Sequence, residues 1–149
     1  MVQKLRQRMG REEGFTLVEL LVVMLILGLL AAIAIPSFFN QRDKARDADA
    51  KAQVRSAQTA METWATDHGG AYNNPAPTAA DLGGANGIES TIEETRLTFS
   101  NVAAGAYTVT IASENTPNTF SISRAADGTV TYPCATAGND GCPTGGWGG

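Results

Sequence analysis

Few side chains in this sequence could carry out chemistry. The chain has one histidine, His68, and two cysteines, Cys134 and Cys142. Nucleophilic catalysis needs a nucleophile, a base and a group that orients the base, all within reach of one another. No glycine-rich loop follows a strand and opens a helix, and there is no CxxC pair. We therefore expect a protein that is not an enzyme, with His68 as an ordinary residue at a helix end.

Acidic residues near predicted turns are the candidate metal ligands. Asp127 and Asp140 are followed or flanked by glycine in loop-like stretches. Calcium prefers six to eight oxygen ligands, and two loop carboxylates supply few of them. The sequence therefore predicts no cofactor, and Asp127 and Asp140 are the candidate ligands should calcium bind.

The two cysteines lie near the C-terminus, with a glycine-rich turn between them. Such a turn can bring two Cα atoms to about 5.5 Å, the usual separation across a disulfide. A zinc site would need four ligands, and His68 is far away in sequence. If this part of the chain is outside the cytoplasm, a disulfide is the default. The pattern favours a Cys134–Cys142 disulfide over a metal pair.

The most unusual titratable residue is Glu19, at the start of a long apolar run. Residues 20–35 are all apolar or small, and Pro36 follows them. As a helix, residues 15–35 would span about 31 Å, close to the roughly 30 Å of a bilayer's hydrocarbon core. An unpaired carboxylate near the lipid edge costs a few kcal/mol, so it calls for a functional explanation.

Charge is divided unevenly between the leader and the body. Residues 1–14 contain four basic and two acidic side chains, a net charge of +2, which leaves −6 for the rest of a chain whose total is −4. Basic residues before an apolar segment predict a cytoplasmic N-terminus and a translocated body. The acidic body argues against a nucleic-acid site, because phosphate binding needs clustered Lys and Arg.

Three explanations of the apolar segment compete. A cleaved secretory signal has a shorter apolar core, and here the small residues 31–34 lie inside the run. A plain single-pass anchor explains the run but not Glu19. A third explanation comes from the residues around the glycine, which read Glu-Gly-Phe-Thr-Leu-Val-Glu over residues 13–19. This stretch resembles the class III signal of type IV prepilins and pseudopilins.

The resemblance implies a role for each matched position. A membrane peptidase would cut between Gly14 and Phe15, remove residues 1–14 and N-methylate Phe15. Glu19 would neutralise the N-terminal amine of a neighbouring subunit in a filament, where low dielectric strengthens the interaction. Gly28 and Pro36 would bracket a stretch that kinks or loses helical hydrogen bonds on assembly, since glycine is a weak helix former and proline lacks the backbone donor.

Beyond Pro36 the sequence predicts a helix, a loop and a small sheet. Residues 37–68 continue the helix, with an apolar stripe at spacings of three and four, and Gly69 and Gly70 end it. Residues 69–96 read as a loop with a short helical turn at 78–82, and the resemblance implies that this is the family's variable loop. Residues 97–149 form the head, with strands at 97–99, 107–111, 120–123 and 129–132 in a meander, then a C-terminal disulfide loop like that of many pilins. We expect residues 40–49 to face water or other subunits. The glycine-rich tail is expected to be flexible, with Trp147 packed back on the head, packed on a neighbouring subunit or exposed.

The fold expected is therefore α+β: a long N-terminal helix packed on a small antiparallel sheet, the type IV pilin fold. Residues 15–36 form the membrane or filament-core helix and residues 37–68 its amphipathic continuation. The resemblance implies a pilin serving adhesion, motility or DNA uptake. The alternatives are a major pseudopilin of type II secretion and, from a different class, an anchored domain that never polymerises.

The same resemblance implies partners and location. The partners would be copies of the chain itself, the prepilin peptidase and N-methyltransferase, an inner-membrane platform protein, an assembly ATPase and minor pilins. Before assembly the chain would sit in the cytoplasmic membrane as a single-pass protein with its N-terminus inside. After assembly it would be part of an extracellular pilus or a periplasmic pseudopilus.

Overall fold

The computed structural model describes residues 14–138 and 141–148. Of the predicted leader, residues 1–14, only Gly14 is among the described residues. The calcium candidate Asp140 also lies outside them. The chain divides into two compact parts, residues up to 40 and residues from 41 onward, which are described in turn.

One long helix, α1, begins in the first part. It runs over Leu17–Asp67, so the two predicted helical segments belong to one assigned element. Both Gly28 and Pro36 lie inside this helix, which continues through them. By length and composition it is the one helix of the described chain that could cross a membrane.

The first part has no core of its own. Every side chain from 14 to 40 is exposed except that of Ala31, which is intermediate. Leucine, valine, isoleucine and methionine side chains dominate this surface. Burying one such side chain stabilises by about 1.5–3 kcal/mol, so a surface of this composition requires lipid or other protein around it.

In the second part, one stripe of α1 turns toward a sheet. The predicted residues Ala50, Val54, Ala57 and Met61 are at most 1% exposed, while Trp64 is only half-buried. Glycine ends the helix as expected, because Gly69 and Gly70 have φ of 74° and 87°. In that left-handed region glycine carries no Cβ penalty.

Four antiparallel strands form the sheet in the order β1-β2-β3-β4, the predicted meander. They cover Leu97–Ser100, Tyr107–Ala112, Thr119–Arg124 and Val130–Thr131, so the last strand is shorter than expected. Side chains alternate between the faces of a strand, and here the apolar set faces α1. The other face carries hydroxyl pairs: Thr108 with Ser123 at 2.9 Å and Thr110 with Ser121 at 2.8 Å.

A single hydrophobic core forms where the helix stripe meets the sheet. Its fully buried large apolar side chains come from α1, from the sheet and from the segment before β1; they are Val54, Met61, Leu82, Ile92, Tyr107, Val109, Ile111, Phe120 and Ile122. The predicted α+β architecture is confirmed, with the helix covering one face of the antiparallel sheet.

The loop between helix and sheet contains more structure than expected. A short helix, α2 (Ala79–Leu82), matches the predicted helical turn and is capped reciprocally by Thr78 and Asp81. A 3-10 turn, Glu94–Arg96, precedes β1. This turn is tied to α1, since the Arg96 guanidinium lies 3.1 Å from the Asp49 carboxylate.

Two residues of the head are more buried than their surroundings. Residues 40–49 are mostly exposed, as expected, but Asp47 among them is 1% exposed. Of the three placements left open for Trp147, the structure has it packed back on the head: it is 7% exposed, and its indole N–H lies 3.0 Å from the Ser121 carbonyl and 3.1 Å from that of Pro133. Hydrogen bonds compensate for the burial of both polar groups, the Asp47 carboxylate and the Trp147 indole N–H.

Candidate processing and assembly site

The predicted cleavage junction lies just before the first turn of α1. Gly14, Phe15 and Thr16 have no assigned secondary structure, and the helix begins at Leu17. Phe15 is 82% exposed. A Cβ added at Gly14 would meet nothing within 4 Å. The junction is therefore an accessible segment outside the helix, and nothing in the described chain itself requires glycine at position 14.

Glu19 caps its own helix. Its Oε2 accepts hydrogen bonds from the backbone N–H and from the hydroxyl of Thr16, both at 3.0 Å. In return the Thr16 hydroxyl oxygen accepts the backbone N–H of Glu19 at 3.2 Å. This is a capping box, which satisfies amide donors that the first turn leaves unpaired. The carboxylate thus has a local role that the sequence analysis did not identify.

Thr16 is the helix N-cap, a role beyond its place in the motif. The signal was available, because a Thr followed three residues later by Glu ahead of an apolar run is the sequence signature of a capping box. Glu19 Oε1 is not used by the cap.

Gly28 and Pro36 lie on the exposed apolar surface. A Cβ at Gly28 would meet nothing within 4 Å, so within a single chain no close packing explains the glycine. Pro36 removes one helical hydrogen-bond donor and disfavours the turn before it. Their predicted role in kinking or stretching the helix stays a prediction, since both positions are helical here.

In the head, the predicted disulfide is present. Cys134 and Cys142 are bonded, with their Cα atoms 5.8 Å apart. The other candidate ligand, Asp127, has a local role, because its Oδ1 accepts the backbone N–H of Thr129 at 2.8 Å. That backbone hydrogen bond, with one involving the Thr129 side chain, lowers the pKa of Asp127. Over residues 14–138 and 141–148, no three His, Cys, Asp or Glu side chains converge as a metal site would require.

His68 occupies the predicted helix end. Its ring stacks on that of Trp64 with centroids 3.9 Å apart, and its Nδ1 donates to the Trp64 carbonyl at 2.8 Å. The Trp64 indole N–H in turn donates to the Pro75 carbonyl at 3.0 Å. These contacts account for His68 as part of the packing between helix and loop.

Asp47 is the second residue whose role the sequence did not reveal, and its carboxylate is buried. Three neutral side chains donate to it: Ser113 at 2.7 Å, Thr116 at 3.0 Å and Asn118 at 2.7 Å. A buried carboxylate is tolerated only when such donors replace water. Asp47 thereby connects α1 to the loop between β2 and β3.

Comparison with known proteins adds to the geometry. The family model described as the prokaryotic N-terminal methylation motif matches residues 9–35. Over 102 residues the chain is 36% identical to prepilin peptidase-dependent protein D of Escherichia coli, covering 68% of this chain and 65% of that one. Over 54 residues it is 41% identical to the type IV major pilin protein PilA of Myxococcus xanthus, covering 36% of this chain and 24% of the relative.

Secretion proteins are also among the relatives. The chain is 34% identical over 58 residues to type II secretion system core protein G of Pseudomonas aeruginosa, covering 39% of this chain and 41% of the relative. The matched stretch is less than two thirds of the length of each of these three relatives. The methylation motif, these relatives, the apolar helix on an antiparallel sheet and the C-terminal disulfide agree with one another, and together they support the type IV pilin family, which includes the pseudopilins, as the family of this chain.

Proposed function

We propose that this protein is the structural subunit of a type IV pilus-like filament that serves adhesion, motility or DNA uptake. The observation that carries the proposal is the exposed apolar surface of α1 with Glu19 at its start. Before assembly, lipid covers this surface. In the filament, the same surfaces of neighbouring subunits replace the lipid.

Processing comes first. A membrane peptidase with N-methyltransferase activity cuts between Gly14 and Phe15 and methylates the new amine. The exposed Gly14–Phe15 segment ahead of the capped helix fits this step, because it lies outside the helix and a peptidase can bind it as an extended strand. The basic leader keeps the scissile bond at the cytoplasmic face of the membrane, so the chain spans the membrane once with its head outside.

Assembly then uses the charge of Glu19. Cleavage creates a cationic amine at Phe15, and two unpaired charges in an apolar bundle are costly. Glu19 of one subunit neutralises the amine of the next, which fixes the axial register of otherwise uniform apolar helices. The platform protein, the assembly ATPase and minor pilins are the further partners that this proposal implies.

The experiment is mass spectrometry of filaments sheared from the cell surface. We expect this chain as a filament component, beginning at N-methylated Phe15. An intact N-terminus at Met1 in the sheared material, or the absence of the chain from it, contradicts the proposal.

A pseudopilin of type II secretion is the second candidate, because core protein G relatives match the N-terminal part. The two candidates differ in where the filament forms and in the head. If calcium raises the melting temperature of the purified chain and removal of the protein stops secretion, the pseudopilin is supported. Surface filaments and a head whose stability is indifferent to calcium support the pilin.

A further inference from the structure

The Asp47 carboxylate lies against the disulfide loop as well as against the β2–β3 loop. Asn118 donates from its amide nitrogen to Asp47 at 2.7 Å and accepts, through its amide oxygen, a hydrogen bond from the Thr136 hydroxyl. Thr136 lies two residues after Cys134. A chain of hydrogen bonds therefore runs from α1 through Asn118 into the cysteine loop.

The other end of the cysteine loop also abuts Asp47. Gly141 immediately precedes Cys142, and a Cβ added there would lie 2.7 Å from Asp47 Oδ2 and 2.9 Å from Asp47 Cβ. Real Cβ atoms do not approach other atoms so closely, so glycine is required at this contact. Both ends of the loop are thus placed relative to a single buried carboxylate.

The two cysteines differ in how they are held. Cys134 is bridged to Phe120 of β3, and the adjacent Ala135 N–H donates to Thr119 at 3.0 Å. The carbonyl of Cys142 accepts the N–H of Gly138 at 2.7 Å, a contact inside the loop itself. The sheet therefore fixes Cys134, whereas the Cys142 end is held by a contact within the loop and by the close packing of Gly141 against Asp47.

Thr136 supports this arrangement. Its φ is 61°, in the left-handed region that β-branched residues rarely adopt. Surrounding contacts must hold such a conformation, and the hydrogen bond to Asn118 is one of them.

We infer that Asp47 is a positioning residue for disulfide formation: it holds the cysteine loop so that Cys142 meets Cys134 only when α1 is packed on the sheet. The disulfide then forms efficiently only in chains whose α1 is packed on the sheet. By reciprocity, closing the disulfide stabilises the Asp47 contacts as much as those contacts favour closure. The inference concerns the head alone and does not depend on filament assembly.

The reaction balances without a bound cofactor. Two thiols lose two protons and two electrons to form the Cys134–Cys142 bond, and a disulfide oxidant is reduced to two thiols. In the test the oxidant is oxidised glutathione, which yields two molecules of reduced glutathione.

The test measures the effective concentration of the cysteine pair in the full chain, purified in detergent. Protein is equilibrated in glutathione buffers of graded ratio, and free thiols are trapped with a maleimide and counted by mass spectrometry. We expect Asp47→Asn to lower the effective concentration about tenfold, the size of one lost hydrogen bond to a charged group. That change makes the reduction potential about 30 mV less negative for this two-electron couple.

Glu62→Gln is the matched control, because Glu62 also lies on α1 and accepts from two core side chains, Tyr72 at 2.7 Å and Tyr107 at 2.9 Å. It should leave the potential unchanged although it weakens the head. In denaturing urea, wild type and Asp47→Asn should have the same effective concentration. Equal shifts for the Asp47 and Glu62 variants, or no shift for Asp47→Asn, would overturn the inference.

Asn118→Ala tests the same contacts and leaves Asp47 two donors, so it serves if Asp47→Asn does not fold. It should also lower the effective concentration. The double variant should be no worse than the more affected single one, because both residues act through one chain of hydrogen bonds. Fully additive effects, or a wild-type value for Asn118→Ala, would contradict the assignment.

Discussion

Glu19 has two separable roles at the scale of one residue. Its Oε2 caps α1 through Thr16, and its charge is the proposed partner of a neighbouring amine. A capping box accepts Gln in place of Glu, because the amide oxygen can take the same two hydrogen bonds. Charge and cap can therefore be removed independently.

We expect Glu19→Gln to be cleaved normally but to reduce surface filaments at least about tenfold, because the cap remains while the counter-charge is lost. Thr16→Val is the matched variant: it keeps the shape and the charge but removes the hydroxyl, at a cost of about 1 kcal/mol to the start of the helix. It should still form filaments. Immunoblots of sheared filaments and the intact mass of the subunit measure both outcomes; filaments from Glu19→Gln at wild-type levels would reduce Glu19 to a cap.

Single residues also mark the limit of what the sequence predicts. Glu19 stands out because an acid in an apolar run needs an explanation. Asp47 does not, since it lies among other charged residues between 42 and 55. Its position three residues before Ala50 continues the stripe spacing, which is the one signal for its burial. Its donors come from a loop far along the chain, and sequence spacing gives no information about that contact.

Helix α1 and the sheet are joined at the element scale by Glu62 and two phenols. Tyr72 and Tyr107 both donate to the Glu62 carboxylate, and the Arg124 guanidinium lies 4.0 Å from it. Burial, followed by the bond to Glu62, raises the pKa of Tyr72 to about 12. The same causes raise the pKa of Tyr107 further. Each phenol in the folded head therefore holds its proton more tightly than in the unfolded chain, where the pKa is about 10.

The pH dependence follows from that difference. Above pH about 10 the unfolded chain loses these protons and the folded head keeps them, so stability falls with rising pH. We expect the free energy of unfolding to be insensitive to this pair below pH 10 and to decrease from pH 10 to about 12. Urea unfolding of the full chain in detergent across this range measures it.

Glu62→Gln should make the alkaline decrease shallower, because a neutral partner disfavours the phenolate less. Glu94→Gln, at an exposed position in the 3-10 turn, is the control and should keep the wild-type slope. An unchanged slope in Glu62→Gln would mean that the carboxylate does not set the phenol pKa values.

The tail after Cys142 acts as a further element of the core. Trp147 packs edge-on against Phe120 and Tyr132, with centroids 6.0 Å and 5.4 Å away, and Arg55 lies over its ring at 5.2 Å. Trp147→Ala should destabilise the head by about 3 kcal/mol, as for other buried aromatic truncations. Trp147→Phe keeps the ring contacts and loses the N–H donor, so we expect about 1 kcal/mol. Denaturant midpoints give both values, and an unchanged midpoint for Trp147→Ala would place the tail in solvent.

Elements differ in how far their sequence determines them. Strands β2 and β3 alternate cleanly between apolar and hydroxyl residues, and they were predicted within one residue at each end. The last strand is short because Pro133 follows Tyr132 and cannot donate to the ladder. The glycine-rich tail gave no periodic signal, because its order comes from one tryptophan and from backbone hydrogen bonds to the sheet.

At the scale of the whole molecule, the chain joins a part with an exposed apolar surface to a part with a hydrophobic core. The part up to residue 40 exposes apolar side chains almost without interruption, whereas the part from residue 41 has its own core and a disulfide. This division was readable from hydropathy, since residues 20–35 form an unbroken apolar run followed by a polar body. The proposed partner for that run was inferred from residues 13–19, which overlap its start.

In the proposed function, cleavage after Gly14 converts an anchored precursor into a filament subunit. We expect Gly14→Val to leave the precursor uncleaved: intact mass should include the leader, the protein should remain in the cytoplasmic membrane fraction, and surface filaments should be lost. The chain itself tolerates the change, because a Cβ at position 14 meets nothing within 4 Å; the obstruction arises in the peptidase, where an extended backbone must pass closely. Gly28→Ala is the matched control, since its Cβ also meets nothing within 4 Å in the single chain, and it should be cleaved at the wild-type rate. Normal processing of Gly14→Val would separate the glycine from the cut and would require a different explanation of how the leader is removed.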